Sequence, residues 1–392
     1  MTERAWAVSF VGALTALLAL QMGNLGFSPI LPSLQRDLGM SFTQLGLFTG
    51  LYGLLALVMS VPAGFSAQRF GEKRTLLFGT IGVVAGLVLL GRADDAGDAL
   101  VSRGIWIAGY RFAFVSVLVA VAVTCPPTLK GRSMGIVGAT SSLASIIGSP
   151  AGGALTREFG WRIGVLGYAG VTILAAVIFA ILYRTRRAAD IGPVGHTIAQ
   201  GPLSNSAPSA FRTPIVWVLA LVLGLGGVGQ FSITYFVPSV ARDVYGLDAV
   251  SAGLIISTGY AGAIVMNLLI GVLMDRYNKW TILAGIFSVH IVASLLMTVP
   301  HLPTFRLATA IVLALGFSAV NQLYGMAGEV MKGRQVGNVM GVVSLGAGVF
   351  GYVGPQLFGA LRDLTGGFRA GFLAVAVADA ITLSIILLLH RQ

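Results

Sequence analysis

The chain is short of charge. Asp, Glu, Lys and Arg make up 10% of its 392 residues, against about a quarter in an ordinary soluble domain. With 56% hydrophobic residues and a mean hydropathy of +0.88, a soluble globular protein is excluded. There is one cysteine, Cys125, so no internal disulfide forms and no Cys/His metal or redox motif exists; it reads as a packing residue. A Walker loop, an H-E-x-x-H and a G-x-S-x-G are all missing, which removes an ATP-driven pump on this chain alone and the usual hydrolases. No pair of catalytic groups stands at one depth, so an enzyme is not expected, nor is any cofactor or metal. Acids are scarce as well, 14 against 25 lysines and arginines, and the formal net charge is +11. The basic residues are scattered between apolar runs rather than clustered on a solvated face, so nucleic acid is not the implied partner.

What fills the chain is a series of mostly apolar segments long enough to cross a hydrocarbon core of roughly 30 Å. They lie at 7–31, 43–65, 75–92, 100–124, 133–155, 162–183, 214–238, 250–273, 280–299, 304–328, 336–360 and 368–389. The expectation is an all-α membrane protein of twelve transmembrane helices. The first segment has no A-x-A-like cleavage site and reads as a retained span that also serves as insertion signal. With the N-terminus inside, the inner segments carry about 15 basic residues and the outer ones about nine, Arg103 counted among the outer, so the positive-inside bias puts both termini in the cytoplasm. The one long polar interval, 185–212, is rich in Gly, Pro, Ser and Arg and reads as a cytoplasmic linker. It divides an N-terminal six-helix unit, 1–184, from a C-terminal one, 213–392.

The two halves look like copies. Pro32-Ser33-Leu34-Gln35-Arg36-Asp37 matches Pro238-Ser239-Val240-Ala241-Arg242-Asp243 at an offset of about 206 residues. Val58-Met59, Gly64 and Gln68-Arg69 match Val265-Met266, Gly271 and Asp275-Arg276; Lys130-Gly131-Arg132 matches Lys332-Gly333-Arg334. Gly153-Ala154-Leu155 and Gly160-Trp161-Arg162 match Gly359-Ala360-Leu361 and Gly367-Phe368-Arg369. Each pair falls at the same end of the corresponding helix, which chance does not produce.

Between spans 2 and 3 the chain reads Gly64-Phe65-Ser66-Ala67-Gln68-Arg69-Phe70-Gly71-Glu72-Lys73-Arg74, with a second copy at Gly271, Asp275, Arg276 and Lys279. This resembles the G-x-x-x-D-R-x-G-R-K-R loop signature of the major facilitator superfamily. Arg103, followed by Pro126-Pro127 and Lys130-Gly131-Arg132, is similar to the pattern of that family's fourth helix and following loop. The resemblance covers essentially the whole chain and implies two pseudo-symmetric six-helix bundles, alternating access, a monomer, and no cofactor. It also implies that Gly64, Gln68, Arg69, Gly71, Asp275 and Arg276 act as gates. Gln68 stands where the family usually has aspartate, which implies a weaker lock on the closed state. Gly148-Ser149-Pro150-Ala151-Gly152-Gly153 approximates the helix 5 signature of proton-coupled exporters with its proline displaced by one position. Independently of the family, Gly64 and Gly271 would let helices approach closely. Gly71 and Asn278 would form the turns, and Arg69 and Arg276 would neutralise carbonyl ends. Simple positive-inside anchoring accounts for Lys73 and Arg74.

A substrate site belongs near the midplane between the repeats, and the resemblance implies a cavity lined by spans 1, 4, 7 and 10. A charge placed at the helix centre costs at least about 2.5 kcal/mol, so Arg111 stands out. Counted from residue 100 it lies roughly 16 Å deep at 1.5 Å per residue, with no acid on spans 1, 4 or 7 to neutralise it. Its bidentate donor fork suits a carboxylate or other oxyanion; a structural arginine bonded to backbone carbonyls is the alternative. Gln21 and Asn24 share a face of span 1, and Asn24 falls at the repeat position of Gln230 in span 7. Gln230 and Thr234 share a face with Tyr235 adjoining, while Asn321, Gln322 and Tyr324 cluster in span 10. Each of these either contacts substrate or bonds one helix to another. Tyr52 and Tyr110 either line the pocket or pack. For proton coupling the intramembrane candidates are Glu329, Asp379 and His290, the last two on peripheral helices. Glu329 is close enough to Lys332 to pair with a loop cation instead.

The reading is a multi-pass secondary transporter of the cytoplasmic membrane that carries a small organic anion, such as a carboxylate, with proton coupling. Its partners are that small molecule, protons and the lipid bilayer. An exporter of drugs or other amphipathic compounds is the alternative, and a non-transporting membrane receptor a more remote one.

Overall fold

A computed structural model describes residues 3–125, 130–183, 213–330 and 335–390. The linker at 185–212, Pro126-Pro127 and Lys332-Gly333-Arg334 lie outside the described residues.

Twelve long helices run through it: α1 (Glu3–Leu25), α2 (Phe42–Phe70), α3 (Glu72–Leu90), α4 (Ala96–Thr124), α5 (Lys130–Phe159), α6 (Trp161–Leu182), α7 (Pro214–Asp243), α8 (Ala249–Arg276), α9 (Lys279–Leu296), α10 (Leu302–Val330), α11 (Gln335–Thr365) and α12 (Arg369–His390). A 3-10 turn and the short helix Leu31–Asp37 prolong α1. Among the described residues, eleven spans are long and apolar enough to cross a membrane. The twelfth helix, α5, has 30 residues, enough for about 45 Å, but carries Ser141, Ser142, Ser145 and Ser149, all buried toward its neighbours.

Local chemistry sets the helix starts. Ser41 and Gln44 form a capping box at the head of α2, each side chain taking the other's backbone N–H. Asp248 caps α8 at the repeat position of Ser41, and Asp95 caps α4. The repeat also reappears in the turns. Gly39 (φ +61°) and Gly246 (φ +64°) both end the segment before the second helix of a half, in the left-handed region that glycine enters without strain.

Helices α1–α6 pack with one another, as do α7–α12, and the two bundles meet mainly where α2 lies on α11 and α5 on α8. Around the outside, large apolar side chains are left bare, among them Phe78 at 66% exposure, Ile81 at 68% and Leu268 at 71%. No water-soluble monomer tolerates so continuous an apolar belt; it is the lipid-facing surface of a multi-pass membrane protein.

Candidate functional site

Among the described residues, the bundles meet mainly along the halves of α2, α5, α8 and α11 remote from the chain termini. Along α2, Gly46, Gly50 and Gly53 lie against Pro355, Tyr352 and the Gly348 carbonyl of α11, with no room for a Cβ at any of them. On the other side Gly153 and Gly253 bring α5 and α8 backbone to backbone. The α5 glycines expected from the sequence to carry an exporter signature thus act as close-packing surfaces. Polar contacts close the rim. Asp363 of α11 accepts from the N–H groups of Phe42 and Thr43 at 3.0 and 2.8 Å and from the Thr43 hydroxyl at 2.7 Å, so one bundle caps a helix of the other. Arg157 pairs with Asp248 at 3.3 Å, and the Arg242 guanidinium donates to the Pro32 carbonyl. Beyond the Ser257–Ile146 bond, toward the chain termini, no hydrogen bond or ion pair joins α2 to α11 or α5 to α8 among the described residues. One end is sealed and the other stands open.

Inward of this seal the site residues converge from both bundles. Arg111 sits at the middle of α4, which begins at Ala96 rather than near residue 100. Its guanidinium lies 4.4 Å from the centre of the Tyr52 ring and 5.7 Å from that of Tyr110. Its one hydrogen bond, Nη2 to the Tyr52 carbonyl, is long at 3.4 Å, and its buried Nε has no partner. Tyr110 donates to Gln21 Oε1 at 2.6 Å, and Gln21 Nε2 donates to Ser141 at 3.1 Å. Four helices of the first bundle are thereby tied at one level. Tyr52 reaches across to Phe231 of α7, ring centres 5.9 Å apart, while Tyr324 of α10 bonds Ser344 of α11 at 3.2 Å.

In the second bundle Gln230 Nε2 donates to Tyr260 at 3.3 Å, and Thr234 back-bonds to the Gln230 carbonyl. Gln230 Oε1 and both amide atoms of Asn24 are buried without partners. The pseudo-symmetric amides are therefore both inside, and each keeps unspent hydrogen-bonding capacity. Asn321 lies elsewhere: it is exposed and bonds Asn267 of α8 at 3.1 Å, a link between two helices of one bundle. Gln322 is half-buried beside Gly271, outside the Arg111 cluster.

Arg103 corrects the sequence reading most sharply. Counted there as an outer cation, it is fully buried within α4, because the helix starts four residues earlier than the apolar run suggested. Its guanidinium packs 4.1 Å from the Trp106 ring centre, 5.1 Å from Phe48 and 5.7 Å from Phe27, beside Tyr235 of the second bundle. None of its three nitrogens makes a hydrogen bond within 3.5 Å, although Tyr235 stands beside them. Neither Arg103 nor Arg111 has an ion-pair partner among the described residues. Two uncompensated guanidiniums on one helix give the interior a positive field whose strength is not spent on protein acids. Asp95, the N-cap residue directly before Ala96, was the sequence signal that would have moved the helix start and so exposed Arg103 as an interior group.

The loop residues divide. Gly71 holds φ +85° at the junction of α2 and α3, as a turn glycine should. Asn278 instead has φ −61° and acts as the N-cap of α9, its Oδ1 accepting from the N–H groups of Trp280 and Thr281. Gly64 is half-buried, and Gly271 is not a close-approach position in this conformation, since only Gln322 Nε2 comes near, at 3.8 Å from a would-be Cβ. Gln68, Arg69, Asp275 and Arg276 are exposed at the open end. Arg69 lies over the Phe70 ring, 5.6 Å from its centre. A contact of the kind expected of the arginines is made by Lys73. Its ammonium donates to the carbonyls of Ala180 and Tyr183 at 2.7 and 2.9 Å and closes the end of α6. It is thus more than a topological anchor.

Of the coupling candidates, Glu329 is exposed and paired with Lys279 at 2.5 Å, away from the cavity. Asp379 is fully buried against His290, Oδ2 to Nδ1 at 2.6 Å.

The fold, the sealed and open ends and the charged interior are those of a carrier, and comparison with known proteins decides the family. The model of the Major Facilitator Superfamily matches residues 10–326. The chain belongs to that superfamily. It is a membrane transporter, not an enzyme. Over 360 residues it is 22% identical to a "Probable sulfoacetate transporter" of Cupriavidus necator, covering 87% of this chain and 84% of that one. It is 23% identical to a "Probable nitrate transporter" of Staphylococcus epidermidis (93% and 92% covered) and 23% identical to "Multidrug resistance protein 1" of Bacillus subtilis (91% and 90%). The crystal structure of a bacterial homologue of the human lysosomal transporter Spinster, inward-facing and unoccupied, superposes with a TM-score of 0.81 at 15% identity, over 100% of this chain and 98% of that one. The superfamily member described here therefore shares the transporter fold along its full length.

Proposed function

We propose that this transporter carries a small organic anion, such as a carboxylate, across the cytoplasmic membrane by alternating access coupled to protons, with Arg111 as the anchor. The observation that supports it is the unspent charge of Arg111, whose buried Nε and loosely held Nη2 leave its donor fork free for an oxyanion. Tyr52, Gln21, Gln230, Thr234 and Tyr324 would surround the rest of the substrate. Tyr235 would meet it with Arg103 once the far end opens. With both termini cytoplasmic, as the positive-inside bias implies, the open end faces the cytoplasm. The names of relatives that carry sulfoacetate and nitrate agree with an anion.

Export of amphipathic drugs is the second reading, favoured by the aromatic walls at Tyr52 and Phe231 and by the resemblance to a multidrug resistance protein. A thermal-shift screen separates the two, because a ligand at 100 times its Kd stabilises the folded state by about 2.7 kcal/mol. Purified protein is expected to be stabilised by tartrate or sulfoacetate in preference to nitrate, and not by cationic or neutral amphiphiles. Stabilisation by the amphiphiles alone would transfer the reading to export.

A further inference from the structure

The interior of the second bundle holds a titratable pair that no part of the substrate site uses. His290 on α9 and Asp379 on α12 are both buried, Nδ1 to Oδ2 at 2.6 Å. The other ring nitrogen, Nε2, lies 3.1 Å from the Val312 carbonyl of α10. A carbonyl only accepts, so Nε2 carries a hydrogen. At 2.6 Å a second proton must lie between Nδ1 and the carboxylate, since two lone pairs would otherwise face each other. Wherever that proton sits, as imidazolium with carboxylate or imidazole with carboxylic acid, the pair is neutral and loaded. Losing it would leave a net negative charge in an apolar bundle, which is costly unless the surroundings rearrange or admit water.

Two further features distinguish the pair from a static brace. Asp379 Oδ1 is buried with no partner, so the carboxylate is incompletely satisfied in this conformation. The ring also adjoins the polar cluster of α7. A Cβ at Gly229 of α7 would lie 2.9 Å from His290 Cε1, and one at Gly316 of α10 would lie 3.1 Å from Nε2 and 2.8 Å from Gln230 Oε1. Nε2 and the unpartnered Gln230 oxygen thus face each other across a bare glycine, and Gln230 continues to Tyr260 at 3.3 Å. Asp379 from α12 is the one ionisable side chain acting on His290 among the described residues; α7 and α10 present glycine, Gln230 and a backbone carbonyl.

We propose that the His290–Asp379 pair is the proton-binding site of this transporter, communicating with the central cavity through Gln230. The proton enters from water on one side of the membrane, is held between Nδ1 and Oδ2, and leaves to water on the other side when the helices rearrange. The inference rests on the transport reading above and names where its coupling proton resides. It replaces Glu329, which spends its charge on Lys279 at the open end.

The test has two arms, on wild type, Asp379→Asn and the double variant His290→Gln/Asp379→Asn. The first needs no substrate. Spin labels on the sealed ends of α2 and α11 report the gate distance in nanodiscs between about pH 5 and 10, a range that starts below the ordinary histidine value and extends well above it because proton loss leaves an uncompensated buried charge. Wild type is expected to shift between short and long distances over that range, and both variants are expected to stay flat. The second arm measures tartrate uptake into proteoliposomes with the membrane potential clamped at zero. For one proton per anion, a gradient of one pH unit drives about tenfold accumulation in the wild type. Asp379→Asn is expected to exchange tartrate without concentrating it, which also shows that it has folded. A pH-independent gate in the wild type, or a pH response and accumulation that survive in both variants, would overturn the proposal. If tartrate is not carried by any of the three while the gate response behaves as stated, the anion reading fails and the proton site stands.

Discussion

Replacing Gly53 by alanine should loosen the sealed end. An ideal Cβ there would lie 2.5 Å from the Gly348 carbonyl oxygen, 2.6 Å from Tyr352 N and 2.7 Å from Gly351 C, all backbone atoms of α11 that no rotamer change can move. Ordinary contact needs about 3.5 Å, so α2 and α11 must part by about 1 Å. Overpacking of this kind costs about 1–3 kcal/mol. The cost is borne by the conformation in which the two helices touch and is relieved when they separate, so the equilibrium should move toward the open far end by about 5–150-fold. Spin labels on the sealed ends of α2 and α11 would read this as growth of a long-distance population. Gly170→Ala on α6, where nothing lies within 4 Å of the added methyl, serves as the control and should leave the distribution unchanged. If Gly53→Ala matches the wild type, the α2–α11 contact does not hold the gate.

The same distance measurement checks two further contacts. Asp363→Ala removes the carboxylate that caps α2 from the other bundle and should weaken the seal by about 0.5–2 kcal/mol, the range for a lost N-cap. Asp248 has its carboxyl held below the usual carboxylate range by the Ser251 hydroxyl and backbone N–H and by Arg157. Its contribution is therefore complete above the ordinary carboxylate pKa and lost as pH falls through the depressed value. Acidification below about pH 4 should open the rim slightly, by under about 1 kcal/mol because the bridge is exposed, and Asp248→Asn should remove that part of the response. Lys73→Met deletes both bonds to the Ala180 and Tyr183 carbonyls. It should lower the thermal midpoint by the equivalent of about 1–3 kcal/mol without altering ligand affinity, whereas a purely topological anchor would leave the folded protein's midpoint unmoved.

Helix positions and the two-fold repeat were legible because both are local. Apolar length marks the spans, and matched segments such as 32–37 and 238–243 mark equivalent points of the halves. Arg111 was legible for a related reason: a cation deep in an apolar run is visible without any neighbour. What the sequence concealed depends on partners distant in the chain. Arg103 looked like a loop residue because apolar counting begins after the polar first turn, although Asp95 already marks the helix start. Asp363 looked like one outer acid among several, and only the approach of α11 to α2, some 320 residues away in sequence, makes it a cap. His290 and Asp379 looked peripheral because the spacing of 89 residues carries no periodic signal. Close approach on α2 was expected at Gly64, whereas Gly46, Gly50 and Gly53 are the glycines that meet α11, a helix about 300 residues away.

The central claim is that Arg111 holds an anion, and its affinity in variants tests this most directly. The guanidinium's present protein contacts are a 3.4 Å hydrogen bond and the Tyr52 and Tyr110 rings, so removing it should cost the empty protein little. A charge-assisted hydrogen bond to substrate contributes about 1.5–3 kcal/mol. In titration calorimetry against whichever of tartrate or sulfoacetate stabilises the wild type, Arg111→Ala should therefore bind about 10–150-fold more weakly. Arg111→Lys should fall between, having charge but no fork, and both variants should keep the wild-type midpoint without ligand. Equal affinity in all three proteins would contradict the account.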